Sequence, residues 1–148
     1  MSIKVQIKGL KELQVAFRKS PMLVGKEIQK AIATAVMIIH RNAKMETPTK
    51  SGTLRRGIKS RIAPFRGMIE STVAYGVYVH EGTSAHLIRA VNKRALYWKG
   101  ARHPVKSVQH PGTKANPFMK RGAEKSEGQV QAIFQKAVNN ITRKLAVR

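Results

Sequence analysis

The residues that could do chemistry are five histidines and seven glutamates, because the chain contains neither aspartate nor cysteine. A Ser-His-Asp triad is therefore impossible, and so are disulfides, thiolate zinc sites and cysteine nucleophiles. No glutamate is placed recognisably as a substitute, and neither a Walker-type glycine loop nor a hydrolytic carboxylate pair is recognisable. We therefore predict that the protein is not an enzyme, has no catalytic residues and needs no cofactor.

Three neighbouring side chains, His80, Glu81 and His86, could be imagined as a metal or acid–base cluster. Their spacing fits no helix-borne metal motif, and adjacent residues on a strand point to opposite faces. We expect no metal site here, and expect Glu81 to pair with a nearby arginine or to cap the turn at Gly82.

The remaining histidines have simpler interpretations. His103 and His110 each precede a proline, which holds the preceding residue in extended geometry, so both are expected to shape a loop. His40 lies beside Ile39 on a predicted helix and is expected to be partly buried against a polar neighbour.

The charge balance is extreme for a chain of 148 residues, with 29 lysines and arginines against seven acids and a net charge of +22. The basic residues are spread along the whole chain. This distribution favours a polyanion such as DNA, or acidic protein partners, over a basic surface that is merely solvated. Binding to DNA would weaken steeply with added salt.

The length and the 42% hydrophobic content predict a single domain over residues 1–148 with a loop excursion at about 84–115. No apolar run approaches the roughly 20 residues of a membrane span. The amino terminus lacks the apolar core of a signal peptide, so we expect synthesis in the cytoplasm and no membrane partner.

Hydrophobic periodicity predicts an α+β fold: a short antiparallel sheet packed against a long central helix and a C-terminal helix, with an extended basic loop. Ser20-Pro21 and Asn116-Pro117 each resemble a cap followed by proline at a helix start. The predicted helices are a short one from Leu10, a long one from Pro21 to about Met45, and one from Pro117 to about Val147. The predicted strands cover Ile3–Ile7 and, as an antiparallel meander, Leu54–Ala63, Met68–Ala74 and Val77–His80.

The turn before the meander, "SGTLRRGI", places glycine where a positive φ is needed, and Gly82 has the same role at the other end. If the segment is a strand, Leu54, Ile58 and Ile62 share one face. Arg55, Lys59 and Arg61 then occupy the other side, a basic edge that faces solvent or a partner. Arg56 is expected on the less exposed side.

The segment "IRAVNKRALYWKGARH" interleaves basic and aromatic residues. Such a pattern suits tracking a nucleic-acid backbone, anchoring a subunit interface, or simple core packing, and we favour the interface. "RALYWKG" within it could form a strand. The residues concerned are Arg89, Lys93, Arg94, Tyr97, Trp98, Lys99 and Arg102.

Three motifs in order, "SGTLRRGI" (51–58), "YGVYVHEGT" (75–83) and "NPFM" (116–119), give the chain a resemblance to a family. It resembles the tail-component family of long-tailed double-stranded DNA phages, typified by the tenth gene product of a lambdoid phage. The resemblance covers roughly residues 1–145. Gly76 replaces the alanine usual there, and His80 stands where an apolar or acidic residue is common.

The resemblance implies a structural virion protein at the phage neck, the head–tail junction or the upper tail, present in the host cytoplasm during assembly. It implies a homo-oligomeric ring, expected to be a hexamer, around the DNA channel, with neck and tail proteins and packaged DNA as partners. Gly52, Gly82, Pro117 and Phe118 would be its structural turns and caps. The alternatives are a basic nucleic-acid-binding module acting alone in the host cytoplasm and, third, a small nuclease.

Overall fold

The computed structural model describes Arg18 and residues 20–146; the predicted strand at Ile3–Ile7 and the helix from Leu10 lie outside the described residues. The fold is α+β. Two compact units are present, and each is described by itself: the helix-pair unit, which ends at Gly76 and resumes at Phe118, and the ribbon unit, Val77–Pro117. The elements are α1 (Pro21–Glu46), α2 (Thr53–Gly57), β1 (Ile58–Ala63), β2 (Arg66–Ser71), α3 (Gly76–Glu81), β3 (His86–Arg89), β4 (Ser107–His110) and α4 (Phe118–Ala146).

The core of the helix-pair unit lies between α1 and α4. Val24 and Ile28, near the start of α1, pack with Ile141 near the end of α4. At the other end, Asn42 Nδ2 donates a 2.9 Å hydrogen bond to Ser126 Oγ, so the two helices run antiparallel. Proline opens α1 as predicted, although the Ser20 side chain makes no capping hydrogen bond.

The β1–β2 hairpin lies along α1. Its strands pair antiparallel from Ile58↔Ser71 to Ala63↔Arg66. A Cβ placed on Gly67 would lie 2.1 Å from Val36 Cγ2, which shows how closely β2 approaches the helix. His40 Nε2 lies 2.9 Å from the Ile58 carbonyl oxygen, so the predicted polar neighbour of this half-buried histidine is the backbone of β1.

The predicted three-stranded meander is confirmed only in part: β1 and β2 pair antiparallel as its first two strands, but the first strand begins at Ile58 and the third segment is helical. The residues from Thr53 to Gly57 form α2 after Gly52 at φ 76°, and Val77–His80 lies within α3. The proposed common strand face is therefore wrong too: Leu54 is buried on a helix, and Ile62 is 53% exposed on β1. Four residues of alternating pattern are too few to separate one helical turn from a strand.

The ribbon unit is more regular than the loop predicted for it. β3 and β4 pair antiparallel from His86↔His110 to Arg89↔Ser107. The same register continues outward through the Thr83–Thr113 bridge and to Ala90, whose N–H donates to the Lys106 carbonyl. The possible strand at "RALYWKG" is reduced to a single bridge between Leu96 and Val105.

The predicted turns and caps keep their structural roles. Gly82 has φ 77°, and a Cβ there would lie 2.5 Å from the Thr113 carbonyl oxygen, so only glycine fits where the two segments of the ribbon meet. The positive φ predicted for Gly52 and Gly82 is confirmed. Pro117 directly precedes α4, which Phe118 begins with a side chain that is almost completely buried.

Candidate interaction surface

The two glutamates of α1 pair with basic side chains of α4. Glu46 on α1 accepts hydrogen bonds from Lys125 and, at 2.9 Å, from Arg121 on α4. Those bonds lower the pKa of the Glu46 carboxyl below its ordinary value. At the opposite end of the pair, a 2.6 Å hydrogen bond from Lys144 does the same to the pKa of Glu27.

The other described glutamates also have partners within the chain. Arg61 Nε lies 2.7 Å from Glu70 Oε1 across the hairpin, and Glu127 Oε1 accepts a hydrogen bond from Gln131. On α4, Glu124 lies 3.9 Å from Lys120. Each glutamate of residues 20–146 therefore has a partner within the chain, and most of the 29 lysines and arginines are not matched by an acid.

Three of the five histidines lie against another ionisable side chain. His80, which is buried, places Nδ1 2.9 Å from Glu81 Oε1, so Glu81 pairs with a histidine and not with an arginine, which was one of the two roles predicted for it. His86 lies against His110 across the ribbon, with ring centroids 5.1 Å apart. In the described part of the chain, no three residues of the His, Cys, Asp and Glu types are grouped so that they could hold a metal ion.

The imidazole of His110 has a defined role in the ribbon. Its Nδ1 accepts a 3.0 Å hydrogen bond from the backbone N–H of Gly112, while His86 Nδ1 lies 2.9 Å from the Ser84 carbonyl and donates to it. Both histidines thus fix the backbone where the two strands meet. His110 shapes this segment as predicted, but at the end of a strand.

The basic residues predicted after the Gly52 turn divide into two groups. Arg56 folds back over the turn, with Nη2 3.3 Å from the Ser51 carbonyl and 3.4 Å from Thr53 Oγ1. Arg55 is exposed on α2, and Lys59 and Arg61 share the exposed face of β1. Arg56 is exposed as well, so its predicted place on the less exposed side is wrong.

Every predicted basic residue of the ribbon unit is exposed. Tyr97 is 69% and Trp98 47% exposed, so neither side chain belongs to the buried core. They lie next to a tight turn in which the Ala101 N–H donates to the Trp98 carbonyl. The exposed basic residues are Arg89, Lys93, Arg94, Lys99 and Arg102.

The register of the ribbon defines a surface that was not predicted from the sequence. Paired residues share a face, so Leu87, Arg89, Ser107 and Gln109 lie together, and all four are exposed. We call these four residues the ribbon face. The alternation of polar and less polar residues in "SVQH" was the available signal, but the prolines on either side favoured a loop.

Comparison of the chain with protein-family models, with curated proteins and with solved structures finds no match in any of the three. Among the described helices, none is both long enough and apolar enough to span a membrane.

Proposed function

We propose that the chain is a structural protein of a tailed-phage virion, located at the neck or the upper tail, where it assembles as a homo-oligomeric ring around the DNA channel. The three ordered motifs support this proposal from the sequence. Gly52 and Gly82 of these motifs have a positive φ, and Phe118 is buried at the start of α4, which supports a structural role for these three residues.

The observation that carries the proposal is the two-stranded sheet of the ribbon unit. Within the described residues β3 and β4 form a sheet of their own, so each strand has one edge unpaired. Isolated two-stranded ribbons are marginally stable in water, and unpaired edges readily accept a strand from another chain. A neighbouring subunit in a ring would cover these edges, and the exposed Tyr97 and Trp98 are residue types that anchor such interfaces.

Light scattering and electron microscopy of the purified protein test assembly directly. We expect rings for the natural chain and smaller species for a Tyr97→Ser/Trp98→Ser variant. A Met37→Ser variant is the matched control, because it removes an exposed apolar side chain from α1. A natural chain that stays monomeric and binds DNA in a salt-sensitive manner would favour the nucleic-acid-binding module instead.

Silencing the gene in the phage that encodes it tests the location. We expect filled heads that accumulate apart from tails, or tails with an aberrant length or end. Intact, infectious particles would overturn the proposal.

A further inference from the structure

The chain from Gly82 to Ala123 contains no acidic residue, so the whole β3–β4 ribbon lies in an uninterrupted basic segment. A second copy of the chain offers little charge complement to it. Five of the six glutamates between residues 20 and 146 already lie beside a lysine, arginine or histidine of their own chain, and Glu127 accepts a hydrogen bond from Gln131. Charge complementarity therefore favours an occupant other than the chain itself.

The ribbon face carries the side-chain types that read base edges. Arginine pairs with guanine, glutamine with adenine, and serine with either, and Arg89, Gln109 and Ser107 stand together on this face. Leu87 adds an exposed apolar side chain of the kind that can contact the methyl group of thymine.

The dimensions of a two-stranded ribbon favour the major groove. The major groove of B-form DNA is about 12 Å wide and admits a two-stranded β-ribbon, whereas the minor groove is about 6 Å wide and is entered by proteins that deform the duplex. At about 3.3 Å per residue, the paired segment from Thr83 to Ala90 is about 23 Å long, which is enough to lie across the groove.

Four exposed basic residues lie in the segment between β3 and β4. Lys93 and Arg94 lie between the continuous register and the Leu96–Val105 bridge, and Lys99 and Arg102 lie within the turn beyond that bridge. All four lie beyond one end of the paired region, in the segment that joins β3 to β4, where they are placed to meet phosphates at one border of the groove.

We propose that the ribbon face binds duplex DNA in the major groove, with Lys93, Arg94, Lys99 and Arg102 on the flanking phosphates. This binding site does not depend on the ring. The ring uses the strand edges of the ribbon together with Tyr97 and Trp98, whereas DNA meets the ribbon face and the basic residues, so different variants test the two.

Trp98 is the only tryptophan of the chain, so its fluorescence reports binding close to the ribbon face. The probe is a mixed-sequence DNA duplex of about 20 base pairs, titrated at several salt concentrations. The test variant is Arg89→Gln/Lys99→Gln/Arg102→Gln. The control is Arg41→Gln/Lys50→Gln/Arg143→Gln, which removes the same charges from exposed positions of the helix-pair unit.

We expect duplex DNA to change the Trp98 emission of the natural chain and of the control. The test variant should have a Kd raised by more than about tenfold, and its slope of log K against log salt should become shallower by about 0.9 for each phosphate that the variant no longer neutralises. An RNA duplex of the same sequence should bind more weakly, because its major groove is too narrow for side chains.

Equal weakening of binding in the two triple variants would overturn the proposal, since binding would then follow total charge alone. A stronger Trp98 response to polyglutamate than to DNA would overturn it in favour of an acidic protein. Displacement by a minor-groove drug would contradict the groove assignment. None of these outcomes bears on the ring, which is measured by mass without nucleic acid.

Discussion

At Gly122 the two long helices approach so closely that a single methyl group decides the packing. A Cβ there would lie 2.5 Å from Ala43 Cα and 2.6 Å from its backbone nitrogen, and backbone atoms cannot rotate away. We expect Gly122→Ala to lower the free energy of unfolding by about 1–3 kcal/mol, as overpacked cores do. Urea denaturation followed by circular dichroism measures this decrease.

Gly128, on the same helix, is the matched control, because nothing lies within 4 Å of its added Cβ. Gly128→Ala should instead raise the free energy of unfolding by about 0.5–1 kcal/mol, since alanine restricts the unfolded chain and favours the helix. If both variants changed stability in the same direction, the close contact between the helices would not be the reason that position 122 requires glycine.

The carboxyls of Glu46 and Glu27 make the helix pair sensitive to acid. Their pKa values are lowered in the folded state by hydrogen bonds from Lys125 and Arg121 and from Lys144. The stability they contribute is complete above the ordinary glutamate pKa of about 4.3 and is lost as the pH falls through the lowered folded-state pKa.

Glu46→Gln should therefore reduce stability at neutral pH and flatten its decrease below about pH 4.3. Thermal unfolding across the acid range measures both effects. Glu124→Gln, which removes an exposed glutamate paired at 3.9 Å, is the control and should leave the profile nearly unchanged. An unaltered acid profile in Glu46→Gln would show that the pair with α4 contributes no stability.

At the scale of the elements, the register of the ribbon depends on Gly82. Alanine there would adopt a positive φ and also meet the Thr113 carbonyl and the Ala115 backbone. We expect Gly82→Ala to lower the free energy of unfolding by more than the roughly 1–3 kcal/mol of backbone strain alone. The amides of β3 should also exchange hydrogen faster. Gly100→Ala has the same strain at φ 101° without a neighbour within 4 Å, so it should change exchange in β3 less.

The long elements could be predicted and the short ones could not, for a physical reason. Over 26 residues, α1 repeats its apolar positions often enough to specify one face, and Val24, Ile28 and Ala43 are buried as the spacing predicts. In α2 and α3 the same residues fit either a strand or one helical turn. There the decision comes from tertiary contacts such as the Thr72 hydroxyl, which donates to the Gly57 carbonyl at the end of α2.

The candidate surface was predictable in composition but not in geometry. The exposed basic and aromatic residues around Trp98 were identified from their types alone, because few such side chains can be buried together without acids. The ribbon face was not identified from the sequence, because Arg89 and Ser107 become neighbours only through a strand pairing that joins distant segments. Long-range register leaves little trace in a single four-residue strand.

At the scale of the whole molecule, two electrostatic effects on stability oppose each other. The net charge of +22 destabilises the fold through repulsion between basic groups, and the few ion pairs stabilise it. Glu27 and Glu46 lie in the helix pair, and most of the remaining ion pairs are exposed, where they contribute little to stability. The repulsion is spread over the entire chain and is long-ranged at low ionic strength. Repulsion should therefore be the larger electrostatic contribution to stability.

Raising NaCl from about 0.1 M to about 1 M shortens the Debye length from about 10 Å to about 3 Å. Screening of the repulsion raises the Tm, whereas weakening of the ion pairs lowers it. We expect the first effect to be larger, so the Tm should rise. Differential scanning calorimetry at fixed pH measures the change. The variant Arg41→Gln/Lys50→Gln/Arg143→Gln, with less repulsion to screen, should show a smaller rise. A Tm that falls with salt would mean that the contacts of Glu27 and Glu46 outweigh the repulsion among all the basic residues.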